Sequence, residues 1–195
     1  MFDFLNEVDW PQAIVVSTAT SFIFLLFLTL FRPRLRLSKI ILFETLMEGD
    51  GEECKPVFDE FGKEIVQYKF KAVNWTFTNL IENKIELNLV TRYGDGDGTY
   101  SVRTEKIRLK REEVLDIPCM NSIRGFKNAR YAHIFVTYED LKKKWNKDSQ
   151  YLELRILSKH GLSGYTRLKS KRYTDRSVLK EGNFKYGIWL KKKDH

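Results

Sequence analysis

His160 stands three residues before Ser163 in the run His160-Gly161-Leu162-Ser163-Gly164. A histidine beside a serine is the raw material of nucleophilic catalysis, in which the imidazole takes the hydroxyl proton and a third group orients the ring. The flanking residues point elsewhere. Tyr165 occupies the place of the second glycine in a G-x-S-x-G elbow. Two glycines around a short polar run describe a turn between strands, and no catalytic role is expected here.

The other chemistry-bearing residues are equally sparse. Asp95 and Asp97 alternate with Gly94, Gly96 and Gly98, a superficial calcium loop. A loop of the EF-hand type needs a bidentate Glu at its twelfth position. Counted from Asp95 that position is Lys106, so the run is read as a hairpin tip. Cys54 and Cys119 lack C-x-x-C spacing and have no histidine pair nearby, so no metal is expected. His133 alternates with Tyr131 and Phe135 and reads as a packed histidine. No phosphate-binding glycine loop leads from a strand into a helix. The chain is read as a non-enzyme with no catalytic residues and no cofactor.

What remains is positive charge. Lys106, Arg108 and Lys110 alternate along one expected strand, and Arg167, Lys169 and Lys171 along another, with Arg172 beside them. Alternation places each set of three on one strand face, and Arg172 on the opposite face. If the two faces adjoin, they form a phosphate-binding patch within reach of Tyr100, Tyr165 or Tyr173 for stacking.

These cations need strands to position them. Val66, Tyr68, Phe70 and Ala72 alternate with Gln67, Lys69 and Lys71, the period of a half-buried strand. Ile85, Leu87 and Leu89 repeat the pattern, and further strand signals cover 99–110, 129–139, 150–160, 165–174 and 183–191, while 114–120 leads into a less regular stretch. An additional first strand is read in Leu35–Leu46, and one short helix in Asp140–Trp145. About eight strands with closely spaced turns predict a mainly β fold. The expected form is an antiparallel sandwich of the immunoglobulin type, with a small closed barrel as the competitor.

The longest apolar run is Pro11–Phe31, 21 residues without a charge. As a helix it advances about 31 Å, the thickness of a bilayer's hydrocarbon core, so a transmembrane helix is expected. All 34 Lys and Arg follow Phe31, against 23 acids there, which gives the remainder a charge of +11. Arg32, Arg34, Arg36 and Lys39 directly after the span predict a cytoplasmic C-terminal side. The expected organisation is an outer N-terminus over 1–10, the span over 11–31, a basic linker over 32–37 and a cytosolic β-domain over 38–195. That is a single-pass inner-membrane location. Ala13, Ser17 and Ser21 repeat every four residues and suit close helix approach, a membrane-helix association face.

The segments FRPRLRLSK, YKFKAVN, LSGYTRLKSKRYT and KEGNFKYG resemble those of bacterial single-pass membrane proteins with a cytosolic immunoglobulin-like β-sandwich of uncharacterised function. The resemblance implies topology and no activity. In architecture the chain also resembles membrane-anchored β-domain effectors of antiphage signalling, which implies nucleotide sensing coupled to helix oligomerisation. The resulting expectation is a membrane-anchored, non-enzymatic binding or scaffold module. The alternative is an effector whose basic β-domain senses a nucleotide and assembles the helix. Expected partners are membrane lipid, a second copy through the helix, and a protein or phosphate-bearing small ligand, without nucleic acid.

Overall fold

The computed structural model describes residues 10–30, 32–49, 55–94, 98–119, 132–185, 187 and 189–193. Cys54, Asp95 to Asp97 and Tyr131 lie outside the described residues. Helix α1, Trp10–Leu30, begins on the Trp10-Pro11 pair; proline is tolerated in a first helical turn, where its missing N–H has no partner to lose. Every described side chain of α1, residues 11–27, is exposed, Ala13, Ser17 and Ser21 among them.

Among the described residues no helix is long and apolar enough to cross a membrane. This overturns the expected transmembrane helix and, with it, the single-pass inner-membrane placement.

The rest of the chain is mainly β. Strands β1 (Leu35–Leu37) and β2 (Ile41–Thr45) lie on one side of β5 (Val66–Asn74), and β9 (Ala132–Thr137) lies on its other side. Strand β12 (Leu179–Glu181) runs parallel to β2 and completes this first sheet. The second sheet is built on β6 (Leu80–Gly94), flanked on one side by β10 (Gln150–His160) and then β11 (Thr166–Tyr173). On the other side of β6 come β7 (Tyr100–Ile107) and β8 (Glu113–Ile117). A small ladder joins β3 (Met47–Glu48) to β4 (Lys55–Pro56). Helix α2, Leu141–Lys144, starts at Asp140, whose side chain accepts the Lys143 N–H.

Both sheets contribute to one core. Leu35, Ile41, Phe70 and Phe135 of the first meet Leu87, Leu154, Ile156 and Tyr173 of the second. Phe70 and Tyr173 pack edge to face at 5.9 Å, and the Tyr173 hydroxyl donates to the Ser38 carbonyl oxygen at 2.9 Å. Each such buried aromatic contributes about 1.5–3 kcal/mol. Trp145, just past α2, is buried and donates its indole N–H to the Gln150 carbonyl at 3.0 Å.

Three details differ from the sequence reading. The expected first strand is two strands, because the Ser38 backbone turns inward to bond Lys71 and Tyr173. Leu35–Leu37, placed in a linker, pair with β5 instead. Among its described residues the segment 183–191 forms no strand, and it is closed by a Phe184–Lys192 bridge with backbone bonds from Lys185 to Lys191 and from Lys193 to Asn183, while β12 just before it was not anticipated.

Candidate anion-binding site

Past the end of β7 the chain is pinned across to β9 by three bonds. The Arg108 N–H donates to the Glu139 carboxylate at 2.7 Å, and the Thr137 hydroxyl donates to the Arg108 carbonyl at 2.7 Å. The Lys110 N–H donates to the Val136 carbonyl at 2.8 Å. Leu109 is buried between them, so the alternating side chains of Arg108 and Lys110 project to solvent. They project beside Tyr138, and the Lys110 ammonium lies 5.7 Å from its ring centroid.

Arg108, Leu109, Lys110, Tyr138 and Glu139 line a concavity of about 430 Å³. A second hollow of about 190 Å³ shares Lys110 and adds Arg111, His133 and Ile134. Tyr138 also lines a third hollow of about 250 Å³, with Asp59, Lys63, Glu64 and Asp140, where Lys63 and Asp140 pair at 2.7 Å. Three carboxylates line that hollow, against Glu139 alone in the first.

Electrostatics sharpens the contrast. Glu139 is pushed up by burial, but its bonds to Lys144 and to the Arg108 N–H outweigh that and hold its carboxyl below the usual range. It is an anion already satisfied by Lys144 at 2.7 Å. Burial, with the Arg111 charge, pulls the His133 imidazole below its usual value and keeps it neutral. Among the described residues no carboxylate lies within ion-pair distance of Arg108, Lys110 or Arg111. The pairs present use other cations. Arg108 and Lys110, neither of them in an ion pair among the described residues, lie with the Tyr138 ring around one hollow and suit a phosphate carrying a planar group.

The structure does not gather all the expected basic residues. Lys106, Asn88, Glu153 and Arg172 form one row across the second sheet, which puts Lys106 and Arg172 three strands, about 14 Å, apart. Lys106 pairs with Glu112 at 2.6 Å. Arg172 and Arg155 clasp the buried Glu153 at 3.0 and 2.6 Å. Arg167, Lys169 and Lys171 stand opposite Ser158, Ile156 and Leu154, hence on the other face of the sheet. Of the three expected stacking partners, Tyr173 is buried in the core and Tyr100 and Tyr165 are exposed. Tyr138 was missed by sequence reasoning and His133 was read as a packed histidine; the bonds linking Arg108 and Lys110 to residues 136–139 bring both beside the cations.

The His160–Ser163 pair serves the turn between β10 and β11. The Ser163 N–H donates to His160 Nδ1 at 3.1 Å, so that nitrogen carries no proton and Nε2 donates to the Thr78 hydroxyl at 2.6 Å. The buried ring thus ties the β10–β11 turn to the β5–β6 loop. Gly161 approaches the Asn79 carbonyl so closely that a Cβ would sit 3.0 Å from the oxygen. Among the described residues no three His, Cys, Asp or Glu gather closely enough to hold a metal ion.

No family model matches the chain, and no curated protein matches it. A solved structure described as "X-ray structure of Northeast Structural Genomics Consortium target SoR45" is 13% identical, with a TM-score of 0.32. It covers 74% of this chain and 89% of its own, and at that score it carries no argument about fold or function.

Proposed function

We propose that the β-domain is a non-enzymatic binding module whose ligand is a phosphate-bearing small molecule, held where β7 runs on to β9. The observation that carries this reading is the convergence of Arg108 and Lys110 with the Tyr138 ring around one concavity. The phosphate would take charge-assisted bonds from the guanidinium and the ammonium. A planar base would replace the Lys110 ammonium over the tyrosine ring. Glu139, bonded to the Arg108 backbone and to Lys144, holds the segment in place and leaves the Arg108 side chain outward. The His160–Ser163 pair supports the non-enzymatic part, because both ring nitrogens are engaged in holding a turn.

Isothermal titration of the full chain with pyrophosphate, cyclic mononucleotides and cyclic dinucleotides tests the reading. The expected result is saturable binding of at least one nucleotide at about micromolar affinity, near −8 kcal/mol, weakening as salt rises. Absence of binding by every member of the panel at millimolar concentration would overturn it.

A further inference from the structure

Strand β11 forms one edge of the second sheet and pairs through all eight of its residues with β10 alone. Among the described residues no backbone bond reaches its other side. An eight-residue open edge is about 27 Å of unpaired backbone groups, a ready template for another strand. Charged side chains are one way proteins guard such an edge, but the charges here are of one sign. Arg167, Lys169 and Lys171 sit at alternate positions on one face of the strand, about 7 Å apart, and none has a carboxylate within ion-pair distance among the described residues. Five other cations of this sheet, Lys84, Lys106, Arg155, Lys159 and Arg172, each pair with a glutamate, whereas Arg92 and Arg103 have no carboxylate within ion-pair distance among the described residues. On the opposite face of β11, Leu168 is 57% exposed directly across from Leu157 at 37%.

We infer that the β11 edge is a docking site for an extended acidic peptide, which adds as a sixth strand. Main-chain bonds to β11 supply the affinity, and the two faces set the sequence. Carboxylates at alternate positions meet Arg167, Lys169 and Lys171, and the intervening apolar residues cover Leu168 and Leu157. The partner is therefore a segment in which Asp or Glu alternates with Val, Leu or Thr. A second copy of this chain fits poorly: the opposite free edge of the sheet, β7, carries Arg103 and Lys106 as well as Glu105. This site lies on the edge away from Arg108 and Lys110 and is independent of the ligand proposed there.

The test is fluorescence anisotropy of the full chain with a labelled peptide, acetyl-Glu-Val-Glu-Leu-Glu-Val-Glu-amide. Saturable binding is expected, weakened about tenfold or more in Arg167→Glu with Lys169→Glu and unchanged in Lys106→Glu on the far edge. Backbone N-methylation at alternate residues separates strand addition from loose charge attraction. One of the two alternating sets should abolish binding and the other should leave it intact. Equal tolerance of both sets overturns the inference, as does equal binding by the Arg167→Glu, Lys169→Glu protein. Sedimentation of the free protein completes it. A monomer–dimer equilibrium abolished by the same two substitutions would show the edge taken by a second copy and would overturn the peptide assignment.

Discussion

The Lys71 ammonium lies 2.6 Å from the carbonyl oxygen of Lys185 and 3.0 Å from that of Trp189, so one buried cation gathers two turns of the C-terminal segment onto the first sheet. Its position in β5 is a polar one in the alternating pattern, yet only 3% of its surface is exposed, and its ammonium lies 5.8 Å from the centroid of the Phe184 ring. Lys71→Met keeps the stem and removes both bonds. Hydrogen bonds to a charged group contribute about 1.5–3 kcal/mol, partly offset here by relief of the ammonium's desolvation. The expected result is local: faster proteolysis and amide exchange over residues 184–193, with a global loss of no more than about 1 kcal/mol. Unchanged exchange in that segment would show that the lysine does not hold it.

His160 makes stability pH-dependent. Burial pulls its imidazole below the usual histidine value, and both ring nitrogens are engaged as a neutral tautomer. The unfolded chain therefore takes up a proton before the folded one. Stability is complete above about pH 6.5 and falls as the pH drops from there to the folded value, after which it levels. Urea midpoints between pH 8 and pH 5 should show this decline. His160→Gln should cost about 1–3 kcal/mol at neutral pH and flatten the slope, leaving the part contributed by His133. A slope identical to that of the parent would assign the decline to other groups.

The alkaline side belongs to two tyrosines. Burial pushes the hydroxyls of Tyr68 and Tyr173 up to about 12. In the unfolded chain they ionise near 10, so their contribution is present below about pH 10 and is lost as pH rises toward 12. Absorbance titration of the nine tyrosines should show two ionising late and together with unfolding. Tyr173→Phe removes the bond to the Ser38 carbonyl and should lower stability by about 1 kcal/mol while removing one late titration.

How much of this was legible beforehand depends on the range of the contacts. Ile85, Leu87 and Leu89, and likewise Leu152, Leu154 and Ile156, announce their strands by alternation and are buried together. Alternation could not reveal β12, three residues held by a parallel partner more than 130 positions earlier. The same limit produced the misreading of 183–191, whose geometry is set by Lys71 from a different strand. In Pro11–Phe31 the absence of charge predicted the helix α1. Arg108 and Lys110 were visible as alternating cations. Tyr138 and His133 became part of their surroundings only through bonds from Arg108 and Lys110 to residues 136–139.

Variants at that hollow separate the parts of a bound ligand. Arg108→Ala removes a guanidinium but leaves the backbone bond to Glu139, so the segment should keep its path. Phosphate binding should weaken about tenfold or more, and the salt dependence should become shallower as one cation leaves the contact. Lys110→Ala should do the same and also free the face of Tyr138. Tyr138→Leu is the discriminating change. Stacking of a base on an aromatic ring is worth about 1–3 kcal/mol, so a nucleotide should lose about tenfold or more while pyrophosphate is unaffected. Equal loss for both would mean that the ring acts by positioning Lys110. No loss for either would remove Tyr138 from the site and leave a plain anion hollow.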